Sequence, residues 1–381
     1  MVNLEVVDPH QLVSYLFNQC GLQIDGDKVQ TFWQHHRAVK SPFMDVYTGG
    51  ESHIPLGLYG DGARARQIAY QAPEKVIGLF LNVPLFRPKS ARHARYLLFS
   101  IEEELCFGRK TLNAVYNRLT WSLNHLFHGR WPTHGPRGDR LTSPKAGSLI
   151  TPDGKQFAVV EHRGDWSFMK WVFGLKSSWK AGTNAPVCYQ CRAYGKGPLS
   201  ERYYHVGENA PAWSTEHTLV SFLAEEMPAT DPCPFISLVN FHHDLLKFCQ
   251  MHVLNLGLLF TANGSSLMTL VDSNYFQVEE EGAPLQRHLD AAYKHFRAFI
   301  KMRKIQCSQG PFQEKMVSKS GGEVVFTLKA FNGRVVTEWL SHCLGDIASR
   351  PHDDDRIPLT YVAMILGSNT LGLSLSQGST R

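Results

Sequence analysis

Between Ile54 and Asp165 the chain strings together strand-sized apolar runs around one long amphipathic stretch, and two of those runs end on Gly-Asp. The first run, Ile54-Pro-Leu-Gly-Leu-Tyr-Gly60, stops at Asp61. A second, Val76 to Val83, ends at Pro84, and a third, Tyr96 to Ile101, ends in the acidic triplet Glu102 to Glu104. Both have strand length and apolar content. From about Lys110 to Gly129, residues Leu112, Val115, Leu119, Leu123 and Leu126 recur at three- and four-residue steps, which predicts a helix stopped by Gly129. The run Phe157 to Gly164 then predicts a fourth strand that delivers Asp165.

Gly and Asp also punctuate ordinary strand-to-turn junctions, so Gly-Asp alone carries little. The order of elements carries more. Three strands, a helix and a fourth strand, with acids ending the first and fourth, is the wiring expected of a ribonuclease-H-like α/β core: a mixed sheet flanked by helices. A carboxylate where a buried strand ends is rigidly aimed. Two such carboxylates on neighbouring strands can share divalent cations with a phosphodiester.

Further segments carry a resemblance. Phe32-Trp-Gln-His-His36, His53 to Gly62, Trp121-Ser-Leu-Asn124, His162-Arg-Gly-Asp-Trp166, Cys188-Tyr-Gln-Cys191 and Phe248 to Gly257 look like a transposase-derived family. That family is abundant in dinoflagellate and other algal genomes and distantly similar to eukaryotic DDE transposases. The likeness runs from about Asp8 to Gly345. It implies a ribonuclease-H-like domain in which three acids hold two magnesium (or manganese) ions for DNA strand cleavage and transfer, and it implies work in the nucleus. Asp61 matches the first acid and Asp165 the second. By analogy the third sits on a helix after a fifth strand; Glu338 is the leading candidate, with Glu323 and Glu314 as alternatives.

Cys188-x-x-Cys191 and Cys249-x-x-His252 form a second constellation. Paired soft ligands at this spacing suit a closed structural zinc site. The resemblance points the same way, although relatives carry Asp where this chain has Cys249. The competing reading makes Cys249 a buried apolar residue on a helix over 245 to 259, with His252 its satisfied neighbour. His242, His243 and Asp244 read as a helix start, with Asp244 as a cap. The remaining cysteines show no ligand spacing, and eight cysteines scattered over 381 residues argue for free thiols.

Residues 1 to 50 read as a helical segment and 53 to 175 as the first part of the core. Residues 176 to 260 read as a largely helical insertion with the zinc ligands, 261 to 366 as a helical continuation of the core, and 367 to 381 as a disordered tail. Amphipathic helices are expected over 285 to 304 and 329 to 344. No run approaches about 18 uninterrupted apolar residues, so no membrane span is expected. Net charge is +5, with basic clusters at Arg87 to Arg95, Arg130 to Lys145 and Lys294 to Lys304 that suit phosphate neutralisation. Trp131, Trp166, Trp171 and Trp179 surround the second acid, and core packing is their commoner role. DNA is the expected partner; oligomeric state is open. Two readings compete: a two-metal strand-transferring enzyme, and an inactive transposon-derived relic or domesticated nucleic-acid-binding protein.

Overall fold

A computed structural model describes residues 4–66, 74–88, 90, 93–178, 186–196, 201, 202, 205, 207–280, 282–320 and 323–349. Trp179, Lys89, Arg92 and the tail from residue 350 onward lie outside the described residues. The chain divides into two compact units, Met1–Phe248 and Cys249–Arg381.

The first unit opens with helices α1 (Pro9–Asn18) and α2 (Gly26–Ala38). Asp8 precedes α1 and pairs through both oxygens with Arg118, at 2.6 and 3.0 Å. Asp25 caps α2 by accepting from the Asp27 N–H. Trp33 of α2 is fully buried and donates its indole N–H to the His53 carbonyl at 2.8 Å, tying α2 to the start of the sheet.

Strands β1 (Ile54–Arg66), β2 (Glu74–Asn82) and β3 (Tyr96–Glu102) follow, then helix α3 (Arg109–His128) and strand β4 (Phe157–Gly164). Gly129 closes α3 in the left-handed conformation at φ 65°, as expected of a glycine stop. Helix α4 (Trp166–Phe173) leaves β4 directly. The short helices α5 (Pro211–Ser214) and α6 (Leu219–Glu225) and strand β5 (Leu246–Phe248) complete the unit.

The five strands form one mixed sheet in the order β3-β2-β1-β4-β5. Neighbours β1/β2 and β2/β3 are antiparallel, whereas β1/β4 and β4/β5 are parallel. A parallel neighbour requires a crossover, and α3 supplies it between β3 and β4. One face of the sheet is apolar, carrying Leu56, Leu58, Leu79 and Leu81, all fully buried in a core shared with Leu112, Leu119 and Leu126 of α3. The register shifts once between Leu56 and Gly57 against β4, so that Gly57 faces Glu161, Tyr59 faces Arg163 and Gly60 faces Gly164.

Three local expectations are corrected. The first strand runs on to Arg66, because β2 continues to pair with it after β4 has turned away. The helix expected over 245 to 259 is instead strand β5, followed by a π-helical turn, Met251–Leu258, and then helix α7 (Leu259–Asp272). Asp244 is not a helix cap. It accepts from Lys247 at 2.6 Å and Ser41 at 3.3 Å, while His242 Nδ1 accepts the Asp244 N–H at 3.1 Å.

The second unit comprises the π-helical turn and α7, helix α8 (Leu285–Met302), the hairpin β6 (Val317–Ser320) and β7 (Glu323–Phe326), and helix α9 (Ala330–Ala348). Its core gathers Leu267, Phe296, Phe312 and Trp339, each fully buried. The stretch Met251–Asp272, at 22 residues and mean hydropathy 1.3, is by length and composition enough to cross a membrane. Its Asn263 is buried, donating to the Gly333 carbonyl at 3.1 Å and accepting from the Thr337 hydroxyl at 2.8 Å.

Candidate acidic site at the end of β1 and β4

The two Gly-Asp steps meet. Gly60 and Gly164 are register partners on parallel strands, and pairing of β1 with β4 ends there. Asp61 and Asp165 are therefore the next residues on chains about 4.8 Å apart. Both are half-buried.

The glycines are there for packing. A Cβ on Gly60 would lie 2.0 Å from Phe168 Cζ, and one on Gly164 would lie 2.6 Å from Phe168 Cδ1. The Phe168 ring of α4 thus rests directly on the backbone of both strands, which brings α4 down onto the sheet immediately beyond Asp165. Asp165 is the cap of that helix: its Oδ1 accepts the Phe168 N–H at 2.5 Å. Asp61 Oδ2 accepts from the Tyr59 hydroxyl at 2.8 Å. Each carboxylate is held by one oxygen, and the other oxygen has no described partner. Hard oxygen donors of this kind suit magnesium or manganese, which commonly binds one or two carboxylates and completes its shell with water and substrate phosphate.

Behind the pair, His162 on β4 is fully buried, stacked on Tyr116 and ringed by Phe168, Phe173 and Phe235. The Tyr116 hydroxyl lies 2.7 Å from His162 Nε2. Burial pushes the His162 pKa down to about 3, so the imidazole is neutral. It is a packing residue of the apolar face, one that the sequence motif His-Arg-Gly-Asp did not distinguish from a site residue.

Glu338 lies in the second unit, exposed on α9 between buried Thr337 and Trp339. That is the setting of a solvated helix residue. Glu314 belongs to a single turn of the same unit, where it accepts from the Gln286 N–H at 2.9 Å. Glu323 begins β7 there.

The Cys188 and Cys191 thiols interact closely, which raises the pKa of Cys188 and lowers that of Cys191. Their loop covers β5: the Tyr189 hydroxyl and the Gln190 amide both donate to the Leu246 carbonyl, at 3.2 and 3.0 Å. Tyr189 packs between Trp166 and Phe248, at 5.1 and 4.5 Å between ring centroids. Cys249 is buried and His252 half-buried, both at the start of the second unit. Among the described residues no group of three or more His, Cys, Asp or Glu side chains is arranged to hold a metal ion. Cys188 and Cys191 belong to the first unit and Cys249 and His252 to the second.

No protein-family model matches the chain, and no curated protein is significantly similar to it. Function therefore has to be argued from the site.

The described tryptophans around the second acid pack against the core. Trp131, Trp166 and Trp171 are partly buried against the core of the first unit. Trp131 meets His10 edge-on and carries Lys145 over its ring at 4.8 Å. Arg130, in the same basic cluster, donates to the Gly147 carbonyl at 3.0 Å and so stitches its own loop.

Proposed function

We propose that the first unit is a ribonuclease-H-like core of transposase type, acting on DNA phosphodiesters, with Asp61 and Asp165 as its metal-holding carboxylates. The observation that carries the reading is the Gly60/Gly164 register, which sets the two aspartates side by side where parallel pairing ends. The strand order β3-β2-β1-β4-β5, with α3 as crossover, is the wiring of that fold class and adds support. Divalent ions bound there would stabilise charge on the attacking and leaving oxygens of an in-line displacement. The chain's own contribution is to aim the carboxylates. Tyr59 orients Asp61 and the α4 backbone orients Asp165, so neither has to reorganise when charge arrives.

A second reading has its own observation. The exposed setting of Glu338 on α9 fits an inactive, transposon-derived relic or domesticated nucleic-acid-binding protein. Manganese titration of the protein against the Asp61→Asn/Asp165→Asn variant, followed by a DNA nicking assay, separates the two. Saturable binding lost in the variant together with metal-dependent nicking supports the enzyme. Binding without nicking supports the relic, and unchanged manganese binding removes the carboxylate site from both. Zinc at Cys188 and Cys191 is proposed separately, and metal content of Cys188→Ser protein tests it.

A further inference from the structure

The polar face of the sheet continues away from the acids into a small pocket of about 210 Å³. Asn82 of β2 and Glu161 of β4 line it, and they are the register partners of Gly57 on its two sides. A Cβ on Gly57 would lie 2.5 Å from Asn82 Oδ1 and 2.6 Å from Glu161 Oε1, so any other residue would push these two side chains aside. Two guanidinium groups line it. Arg163 of β4 pairs with the buried Glu161, which fixes its direction. Arg95, exposed at the start of β3, lies over the Tyr59 ring with its guanidinium carbon 4.7 Å from the centroid, and has no carboxylate partner among the described residues. Tyr59 in turn donates to Asp61, so one side chain joins the pocket to the acidic site.

We propose that this pocket is a phosphate subsite, in which Arg95 and Arg163 hold the phosphodiester neighbouring the one at Asp61 and Asp165. The inference rests on the phosphodiester reading above. Charge supports it: two cations against one carboxylate leave a net positive cleft beside two carboxylates. Spacing supports it as well. Arg163 is the last residue but one of β4, and Asp165, still extended as the cap of α4, follows two residues on, about 6.6 Å along the chain, the scale of one nucleotide step. Guanidinium forks match phosphate oxygens in pairs, and an arginine already stacked on an aromatic ring loses less freedom on binding. Glu161 is not a third metal ligand. It lies four residues before Asp165, about 13 Å along the strand, and its oxygens serve Arg163. Contacts of this type position a nucleic-acid strand without reading bases.

The test is the salt dependence of binding to a fluorescein-labelled DNA duplex in the presence of EDTA, for wild type, Arg95→Ala, Arg95→Glu and Arg163→Gln. Each lost arginine contact is expected to reduce the slope of log affinity against log salt by about one, uniformly across sequences. Lys28→Ala, an exposed lysine on α2 outside the pocket and outside the three basic clusters, is the reference. Arg163→Gln strands the buried Glu161, so its melting is checked first; Arg95, being exposed, carries the test if that variant fails to fold. Arg95 variants that shift the slope no more than Lys28→Ala overturn the pocket and leave the acidic site standing. Wild-type protein that binds no DNA at all overturns both, and manganese binding by Asp61 and Asp165 is scored independently.

Discussion

Asp165 performs two duties that substitution can separate. As the cap of α4 it satisfies the Phe168 N–H, and as a carboxylate beside Asp61 it offers its other oxygen to a cation. Asn caps a helix about as well as Asp, whereas Ala does not; loss of a cap costs about 0.5–2 kcal/mol, typically about 1. Helix α4 drives Phe168, Met169, Val172 and Phe173 into the core, so the cost falls on the first unit as a whole. For a unit of this size, about 1 kcal/mol is a melting shift of about 2–4 °C. Asp165→Ala should therefore melt about 2–4 °C below wild type and Asp165→Asn within about 1 °C of it. Both should weaken manganese binding by at least about tenfold, which is about 1.4 kcal/mol. Differential scanning fluorimetry and a manganese titration followed by electron paramagnetic resonance give the two readouts. If Asn and Ala destabilise equally, the cap geometry is wrong. If either variant binds manganese as wild type does, the metal-holding role of Asp165 is refuted, whatever the melting data show.

Four further outcomes follow from the same geometry. Gly60→Ala places a methyl group 2.0 Å from the Phe168 ring and should cost about 1–3 kcal/mol by urea unfolding, with partial rescue by Phe168→Leu; a neutral Gly60→Ala would mean α4 does not rest on the strands. Tyr116→Phe leaves His162 Nε2 buried without its partner and should cost about 1–3 kcal/mol in the same assay. His162 has a folded pKa near 3, far below its unfolded value of 6.5, so the unfolded chain protonates first. Its contribution is full above pH 6.5 and is lost as pH falls toward 3, by at most about 1.4 kcal/mol per pH unit. His10 and His243, both lowered to about 4 mainly by burial, act in the same direction, and urea midpoints that stay flat on acidification below about pH 6 would contradict this. Finally, Cys188→Ala removes the neighbour that lowers the Cys191 thiol, so Cys191 should alkylate more slowly at neutral pH than in wild type; an unchanged pH profile by mass spectrometry would deny the thiol pair.

Much of the first unit is legible in the chain because its elements announce themselves locally. Strands β2, β3 and β4 alternate or run apolar over strand length, and α3 carries a leucine stripe closed by Gly129, so their bounds agree with the expected ones to within about two residues. The segment 245 to 259 was not legible. An apolar run there suits helix or strand equally, and the parallel partner β4 decides in favour of β5 for its first residues. The reading of 176 to 260 as an insertion missed that its end supplies a strand of the central sheet. Arg95 reads in the sequence only as one member of a basic cluster, and Gly57 only as part of the His53–Gly62 segment. An arginine becomes notable only when it lies over Tyr59, and Gly57 only when Asn82 and Glu161 close in from neighbouring strands.

The sequence by itself determined the order and kind of the first four strands and of α3, and that Asp61 and Asp165 each follow a strand-borne glycine, because periodicity and turn residues act within a few positions of themselves. Tertiary structure alone decided that the two aspartates are neighbours, that their glycines exist to admit Phe168, and that Glu338 stands exposed on a helix of the second unit. Strand register and side-chain direction depend on partners far along the chain. A one-residue slip would send Asp61 to the apolar face, and the shift at Gly57 is what brings Tyr59, Arg163 and the two acids onto one surface.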